Sequence, residues 1–153
     1  MKTSLSVIGV GLVFIYAIGS GLWVNTGDNW YRSLNQPSWQ PPDFIFGLIW
    51  PYNFIVLGFA SVYVANRLST ANVIIYLSIF ALSVAFALTW AYQFYRPHNL
   101  FAASIALCLV ALLTLPMLYF IYQAYVPLFY ATAIYQLWLT TATVLSFNYA
   151  KLN

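Results

Sequence analysis

The sequence predicts an all-α integral membrane protein, a five-transmembrane-helix bundle with a long structured loop between helices 1 and 2. Three observations predict this fold. Of the 153 residues, 63% are hydrophobic and 5% are charged, whereas soluble domains carry about 25% charged residues. The apolar residues fall into long runs that do not alternate in polarity as the strands of a membrane barrel do. One connection between these runs is much longer than the others.

Five apolar segments are each long enough to cross about 30 Å of hydrocarbon as a helix. Inside lipid the backbone must satisfy its own hydrogen bonds, which leaves helix as the stable state of such runs. The segments are Leu5–Val24, Phe44–Ala65, Val73–Phe94, Leu100–Tyr122 and Leu128–Ala150. We expect residues 1–153 to form a single transmembrane domain of multi-pass topology.

The first segment follows Lys2 and has the general look of a signal peptide. Its apolar run is as long as a membrane span, about 20 residues, whereas a signal peptide carries about 7 to 15. We therefore expect it to be retained as the first helix. Ala17 and Gly21 form a small-xxx-small pair in this segment, which predicts close helix packing within the monomer or across a dimer.

The first connection, residues 25–43, is rich in Trp, Tyr and Pro. Loops of this length are usually functional or disordered, and this composition argues against disorder. Pro37, Pro41 and Pro42 fix φ and remove N–H donors, so residues 36–42 are expected to be stiff and partly polyproline-like. The segment is either a lid on a ligand cavity or a rigid cover that only protects helix ends. Asp43, or a residue beside it, is expected to cap the second helix.

The other connections are short, which predicts antiparallel neighbours. They are Asn66–Asn72, Arg96–Asn99 and Gln123–Pro127. Pro127 is placed where it can open the fifth helix without losing a needed N–H. Pro51 and Pro116 lie inside their spans and are expected to kink them.

Charged side chains fall only at or near span ends, which argues against a charge-relay pump or a voltage sensor. They are Lys2, Asp28, Arg32, Asp43, Arg67, Arg96 and Lys151. The basic residues form no run, so nucleic acid is not an expected partner. The positive-inside rule favours a cytosolic C-terminus by a margin of one residue, because Arg32, Arg96 and Lys151 oppose Lys2 and Arg67.

The sequence shows no catalytic or metal-binding constellation. Cys108 and His98 are the only cysteine and histidine, so we expect no metal site and no obligatory cofactor. His98 follows Pro97 in a short connection and is expected at the surface. Hydrolytic chemistry is not expected, since no acid–base pair or activated nucleophile is present.

Three spans each carry an aromatic stripe at helical spacing, with small residues nearby. The stripes are Trp50, Asn53 and Phe54 in the second span, Phe86, Ala87, Trp90 and Phe94 in the third, and Tyr135, Trp138, Ala142, Leu145 and Ser146 in the fifth. Flat aromatic walls with small-residue gaps suit a planar conjugated ligand or a sterol. The alternative is that these stripes only pack the bundle.

The stretch "WYRSLNQPSWQPPDFIFGLIW", Trp30 to Trp50, resembles the signature of the TspO / translocator protein family, also known as tryptophan-rich sensory proteins or peripheral benzodiazepine receptor-like proteins. The ending "WLTTATVLSFNYAKLN" and the third-span "WAYQFY" are similar to further family motifs. The sequence departs from the family pattern at Ala87 and Ser146, where the family often has Asn. It also lacks an acidic residue common early in the fourth helix.

The resemblance implies a cavity under the long loop that binds planar hydrophobic ligands. It implies a porphyrin or other tetrapyrrole first, such as protoporphyrin IX or haem, then a sterol, and also synthetic isoquinoline- or benzodiazepine-type ligands. The implied ligand residues are Trp39 and Pro41 at the cavity mouth, with Trp50, Asn53, Phe54, Phe86, Ala87, Trp90, Phe94, Tyr135, Trp138, Ala142, Leu145 and Ser146 around it. Val144, Tyr149 and Lys151 also match a loose cholesterol pattern.

The family functions implied are transport, sensing or regulation of porphyrin handling. The alternatives are a light- and oxygen-dependent porphyrin-degrading enzyme, in which Trp50 and Trp138 would be catalytic, and a structural membrane protein without ligand. The resemblance also implies a homodimer in a bacterial cell membrane or outer membrane, or in a mitochondrial-type outer membrane.

Overall fold

The computed structural model describes all residues, 1–153, and contains helices and no strands. The helices are α1 (Lys2–Gly21), α2 (Asn29–Ser33), α3 (Asp43–Arg67), α4 (Thr70–Tyr95), α5 (Leu100–Ala124) and α6 (Val126–Leu152). All except α2 are long and apolar enough to cross a membrane. The predicted five-helix membrane bundle is therefore confirmed.

The long helices begin and end close to the predicted bounds because local capping fixes them. The side chains of Ser69 and Asn99 accept hydrogen bonds from backbone N–H groups in the first turns of α4 and α5. Pro127 lies in the first turn of α6, as predicted. Pro42, a residue beside Asp43, is the N-cap residue of α3, so the cap lies where it was predicted, although no side chain accepts a hydrogen bond there. Asp43 lies instead in the first turn, where its charge suits the positive helix end.

The five spans form a ring in which neighbours in contact follow the order α1, α3, α6, α5, α4 and back to α1. The most extensive contacts join α4 to α5 and α5 to α6, which are consecutive antiparallel helices joined by short turns. Buried hydroxyls add bonds between helices. Ser104 pairs with Ser146 at 2.9 Å between α5 and α6, and the Tyr135 hydroxyl donates to that of Tyr16 at 3.3 Å.

Glycines bring α1 close to its two neighbours. A Cβ at Gly9 would lie 2.6 Å from Ser61 Cβ on α3, and one at Gly19 would lie 2.6 Å from a Leu88 methyl on α4. A Cβ at Gly21 would meet no atom within 4 Å. The predicted close packing of α1 is thus made by Gly9 and Gly19. The pair predicted for it, Ala17 and Gly21, lines a cavity instead.

The segment between α1 and α3, residues 22–42, lies over one end of the bundle, and we call it the cover. It contains α2, which the sequence did not predict. This short helix forms because the Asp28 carboxylate accepts a hydrogen bond of 2.7 Å from the backbone N–H of Tyr31. The rest of the cover is irregular apart from turns at residues 22–23, 26–27 and 38–39, the last closed by a 3.0 Å bond from Gln40 N to Pro37 O.

Polar contacts and one aromatic stack fix the cover to the helix ends. The backbone N–H of Asn35 donates to Asn153 Oδ1 at 2.8 Å, and Asn153 Nδ2 returns a bond of 3.2 Å to the carbonyl of Asn35. The hydroxyl of Tyr149 donates to the side-chain oxygen of Gln40. The Trp30 ring stacks on the exposed His98 ring with 3.6 Å between centroids, and His98 has a φ of 58°, which is uncommon outside glycine.

Candidate ligand-binding cavity

A cavity of about 730 Å³ lies beneath the cover, at the end of the bundle where α3 and α5 begin and α1, α4 and α6 end. Side chains of α1, α3, α4 and α6 form its walls, and α5 contributes no lining residue. Helix α5 packs mainly against α4 and α6, and it also contacts α3. The volume is within the range of about 300 to 1,000 Å³ typical of small-molecule sites.

Three tryptophans meet in the wall of this cavity. Trp50 is central: its ring centroid is 6.4 Å from Trp90 with 24° between the ring planes, and 6.5 Å from Trp138 at 90°. Tyr16 approaches Trp50 edge-on at 6.1 Å, and Phe46 approaches Trp138 edge-on at 5.2 Å. Offset and edge-to-face pairs of this kind are the favoured aromatic geometries. The wall is therefore a mutually supported aromatic surface.

Most of the residues predicted for the ligand lie together around the cavity. Those that line it are Trp50, Phe54, Trp90, Phe94, Trp138, Ala142, Leu145 and Ser146. They come from three helices, and each set lies on one helical face, as the spacing predicted. Their contact with a ligand stays a prediction.

The other predicted residues lie outside the cavity lining, and they are Trp39, Pro41, Asn53, Phe86, Ala87 and Tyr135. Asn53, Ala87 and Tyr135 are fully buried in the helix core instead. Phe86 packs against the same core. Trp39 is 45% exposed on the cover, and the position of Trp39 and Pro41 at the cavity mouth stays a prediction.

Several lining residues were not predicted. From α1 they are Tyr16, Ala17, Ser20 and Gly21; from the cover they are Val24, Thr26, Gly27, Tyr31, Arg32 and Gln36; from the ends of α3, α4 and α6 they are Asp43, Phe46, Gly47, Tyr95 and Tyr149. The signal that could have found the α1 wall is its run of small residues at helical spacing. Small side chains leave space beside a helix, and that space either lets a neighbouring helix pack closely or forms part of a cavity.

Charged groups are few in the cavity lining. Arg32 and Asp43 are exposed at its cover end. The indole nitrogens of Trp90 and Trp138 are buried and have no hydrogen-bond partner in the protein. A mainly hydrophobic and aromatic lining binds a ligand by shape and aromatic contact, and its polar groups supply specificity.

Comparison with known proteins places the chain in a family. The sequence model of the TspO/MBR family matches residues 7–152. The chain belongs to the TspO/MBR family. Among TspO/MBR relatives, the uncharacterized membrane protein YtaB of Bacillus subtilis is 31% identical, over 96% of this chain and 97% of its own length. The tryptophan-rich sensory protein of Cereibacter sphaeroides is 26% identical, over 82% of this chain and 78% of its own length. The human translocator protein is 27% identical over 61% of this chain and 57% of its own length.

Membership of the TspO/MBR family and the five apolar helices together establish a multi-pass integral membrane protein. The predicted family is confirmed over nearly the whole chain. At two positions that depart from the TspO/MBR pattern, the structure shows what the side chains do. Ser146 bonds to Ser104 of α5, and Ala87 is fully buried in the core.

Proposed function

We propose that this protein binds a planar hydrophobic ligand in the cavity beneath the cover and acts as a membrane sensor or transporter of that ligand. A tetrapyrrole such as protoporphyrin IX or haem is the first candidate, and a sterol is the second. The observation that carries the proposal is the wall of Trp50, Trp90 and Trp138 in a cavity of about 730 Å³. The names of the relatives, sensory protein and translocator protein, support this class of function.

The geometry of the wall favours a flat ligand. The nearly parallel rings of Trp50 and Trp90 offer π faces, and the perpendicular ring of Trp138 closes one side. A conjugated macrocycle can stack on the first pair and meet the third edge-on. Bulky non-planar ligands would lose that contact.

Protoporphyrin IX fluorescence quenching by the detergent-solubilised protein tests the binding. We expect saturable binding that Gly21→Leu weakens at least tenfold, because the new side chain fills part of the cavity without meeting another atom at its Cβ. Gly11→Leu is the matched control, since Gly11 has equal free space on α1 but does not line the cavity. Absence of saturable binding would contradict the proposal and favour a structural membrane protein that binds no ligand.

A second function, light- and oxygen-dependent porphyrin degradation, is favoured by the contacts of Trp50 with Trp90 and Trp138. An indole beside an excited porphyrin is oxidisable, so Trp50 and Trp138 are the residues to test. Illumination of the aerobic complex should change the porphyrin spectrum in the wild type and not in Trp50→Phe or Trp138→Phe. Binding without a spectral change supports a sensor or transporter.

We further propose that the same cavity takes isoquinoline- or benzodiazepine-type compounds and that the protein is a homodimer. Displacement of protoporphyrin IX by such a compound, or by a sterol, tests whether the ligands share one site. Sedimentation of the detergent complex at several protein concentrations tests the dimer. A monomer at every concentration would contradict it.

A further inference from the structure

The cover end of the cavity presents one arginine whose charge the protein leaves unmatched. Arg32 lines the cavity from α2 and is exposed. No carboxylate oxygen lies within 4.0 Å of its guanidinium. Arg67, at the opposite end of the bundle, is different: it donates to the Ala124 carbonyl at 3.5 Å and lies 5.2 Å from the Tyr63 ring centre. Arg32 is therefore free to bind a group that the protein does not supply.

The backbone around Arg32 is held in place, so the guanidinium is attached to an anchored element. Asp28 caps α2, and the Trp30 ring stacks on His98. On the other side, Tyr31 also lines the cavity and lies 6.4 Å from Phe94 and 6.3 Å from Tyr149, measured between ring centroids. Because these neighbouring residues are already held in place, binding a ligand at Arg32 costs less conformational entropy of the protein.

Charge is otherwise scarce in the lining. Arg32 is its only basic residue, and Asp43 is its only acidic residue. A guanidinium binds a carboxylate through two parallel hydrogen bonds, and an uncharged ligand leaves that capacity unused. Asp43 repels an anion, so an anionic group is favoured on the Arg32 side of the cavity mouth.

We propose that Arg32 determines ligand specificity by binding the carboxylate of an amphipathic ligand whose flat apolar body lies on the Trp50 wall. This inference rests on the proposed ligand-binding function and narrows it. The site then selects planar hydrophobic carboxylates over uncharged ligands of the same shape, which include sterols. The carboxylate lies under α2 at the cover end, and the apolar body points into the bundle.

A paired-ligand titration tests the proposal. Protoporphyrin IX carries carboxylates, and its dimethyl ester keeps the same ring without charge. We expect the wild type to bind the acid more tightly than the ester. Arg32→Gln should weaken binding of the acid about tenfold and leave binding of the ester unchanged, since only the charge-assisted bonds are lost. Arg96→Gln is the matched control, because Arg96 is exposed at the same end of the bundle but does not line the cavity.

Further variants separate charge from shape. Arg32→Lys keeps the charge but loses the two-bond geometry, so acid binding should fall between wild type and Arg32→Gln. Asp43→Asn should tighten acid binding only. Added salt should weaken acid binding to the wild type more than to Arg32→Gln.

The outcomes distinguish the two proposals. Equal affinity of the wild type for acid and ester overturns the role of Arg32 and leaves the cavity function standing. Equal loss of both ligands in Arg32→Gln also overturns it, because Arg32 would then act on the shape of the cover. Absence of saturable binding by either ligand overturns the proposed function, and the specificity inference fails with it.

Discussion

The aromatic residues of the cavity wall differ in whether they could be predicted from the sequence. Trp50 and Trp90 were predicted because each has a phenylalanine four residues later, and Trp138 because it shares a helical stripe with Tyr135. Tyr16 was not, although it contacts Trp50 at 6.1 Å. Its hydroxyl bonds to Tyr135, which lies 119 positions away along the chain. Spacing along one helix carries no information about such a partner.

Gly9 makes the tightest approach of α1 to α3, because a Cβ there would lie 2.6 Å from Ser61 Cβ. We expect Gly9→Ala to lower the free energy of unfolding by about 1 to 3 kcal/mol, the usual cost of overpacking. Thermal unfolding of the purified protein in detergent measures this. Gly11→Ala is the control with no atom within 4 Å, and it should be neutral or slightly stabilising. An equal effect of the two variants would contradict the packing described.

Asn53 is fully buried, and neither polar atom of its side chain has a hydrogen-bond partner. Leucine is similar in size to asparagine, and its side chain has no polar atom that needs a hydrogen bond. We expect Asn53→Leu to raise the free energy of unfolding by about 1 to 3 kcal/mol, since an unpaired buried amide carries that cost. Ser104→Ala provides the comparison: it breaks a made bond to Ser146 and should destabilise by about 1 kcal/mol. A lower melting temperature for Asn53→Leu would show that the amide has a partner in the membrane.

At the scale of elements, some features of the cover were predicted from the sequence and others were not. Its stiffness and its position over one bundle end were predicted from prolines and loop length. The short helix α2 was not, because one turn of helix has no periodicity to detect. Its attachment to the C-terminal end of α6 through Asn35 and Asn153 was also hidden, since these residues are 118 positions apart.

Loosening that attachment should release the cover. Asn153→Ala removes the bonds to Asn35 of 2.8 and 3.2 Å. Each is worth about 1 kcal/mol. We expect faster amide exchange in residues 22–42 and faster ligand dissociation. Asn148→Ala is the matched control, because the Asn148 side chain bonds only within α6, to the Val144 carbonyl. Unchanged exchange in Asn153→Ala would mean that the remaining contacts, among them the Trp30–His98 stack and the Tyr149–Gln40 hydrogen bond, are enough to hold the cover.

At the scale of the whole molecule, five spans place the α3–α4 turn and the cover on opposite sides of the membrane. In a Cys108→Ser background, a cysteine at Thr26 and one at Ser69 should therefore react with an impermeant maleimide from opposite sides of intact vesicles. Both residues lie outside the spanning helices. Labelling of both from one side would contradict the five-span bundle. Labelling from known sides also determines the orientation of the protein in the membrane, which the positive-inside rule favours by a margin of only one basic residue.

The sequence by itself determined the spans, the family and the aromatic faces. Hydropathy over about 20 residues, proline placement and i, i+4 spacing are local properties, and lipid leaves a long apolar run no state but helix. Only the tertiary structure decided which faces enclose the cavity. Contacts between the helices placed Ala17 and Gly21 of α1 in its wall, buried Asn53, Ala87 and Tyr135 in the core, and gave α5 no lining residue. The physical reason is that a helix specifies its own face, while the neighbour that meets that face depends on contacts between residues far apart in the chain.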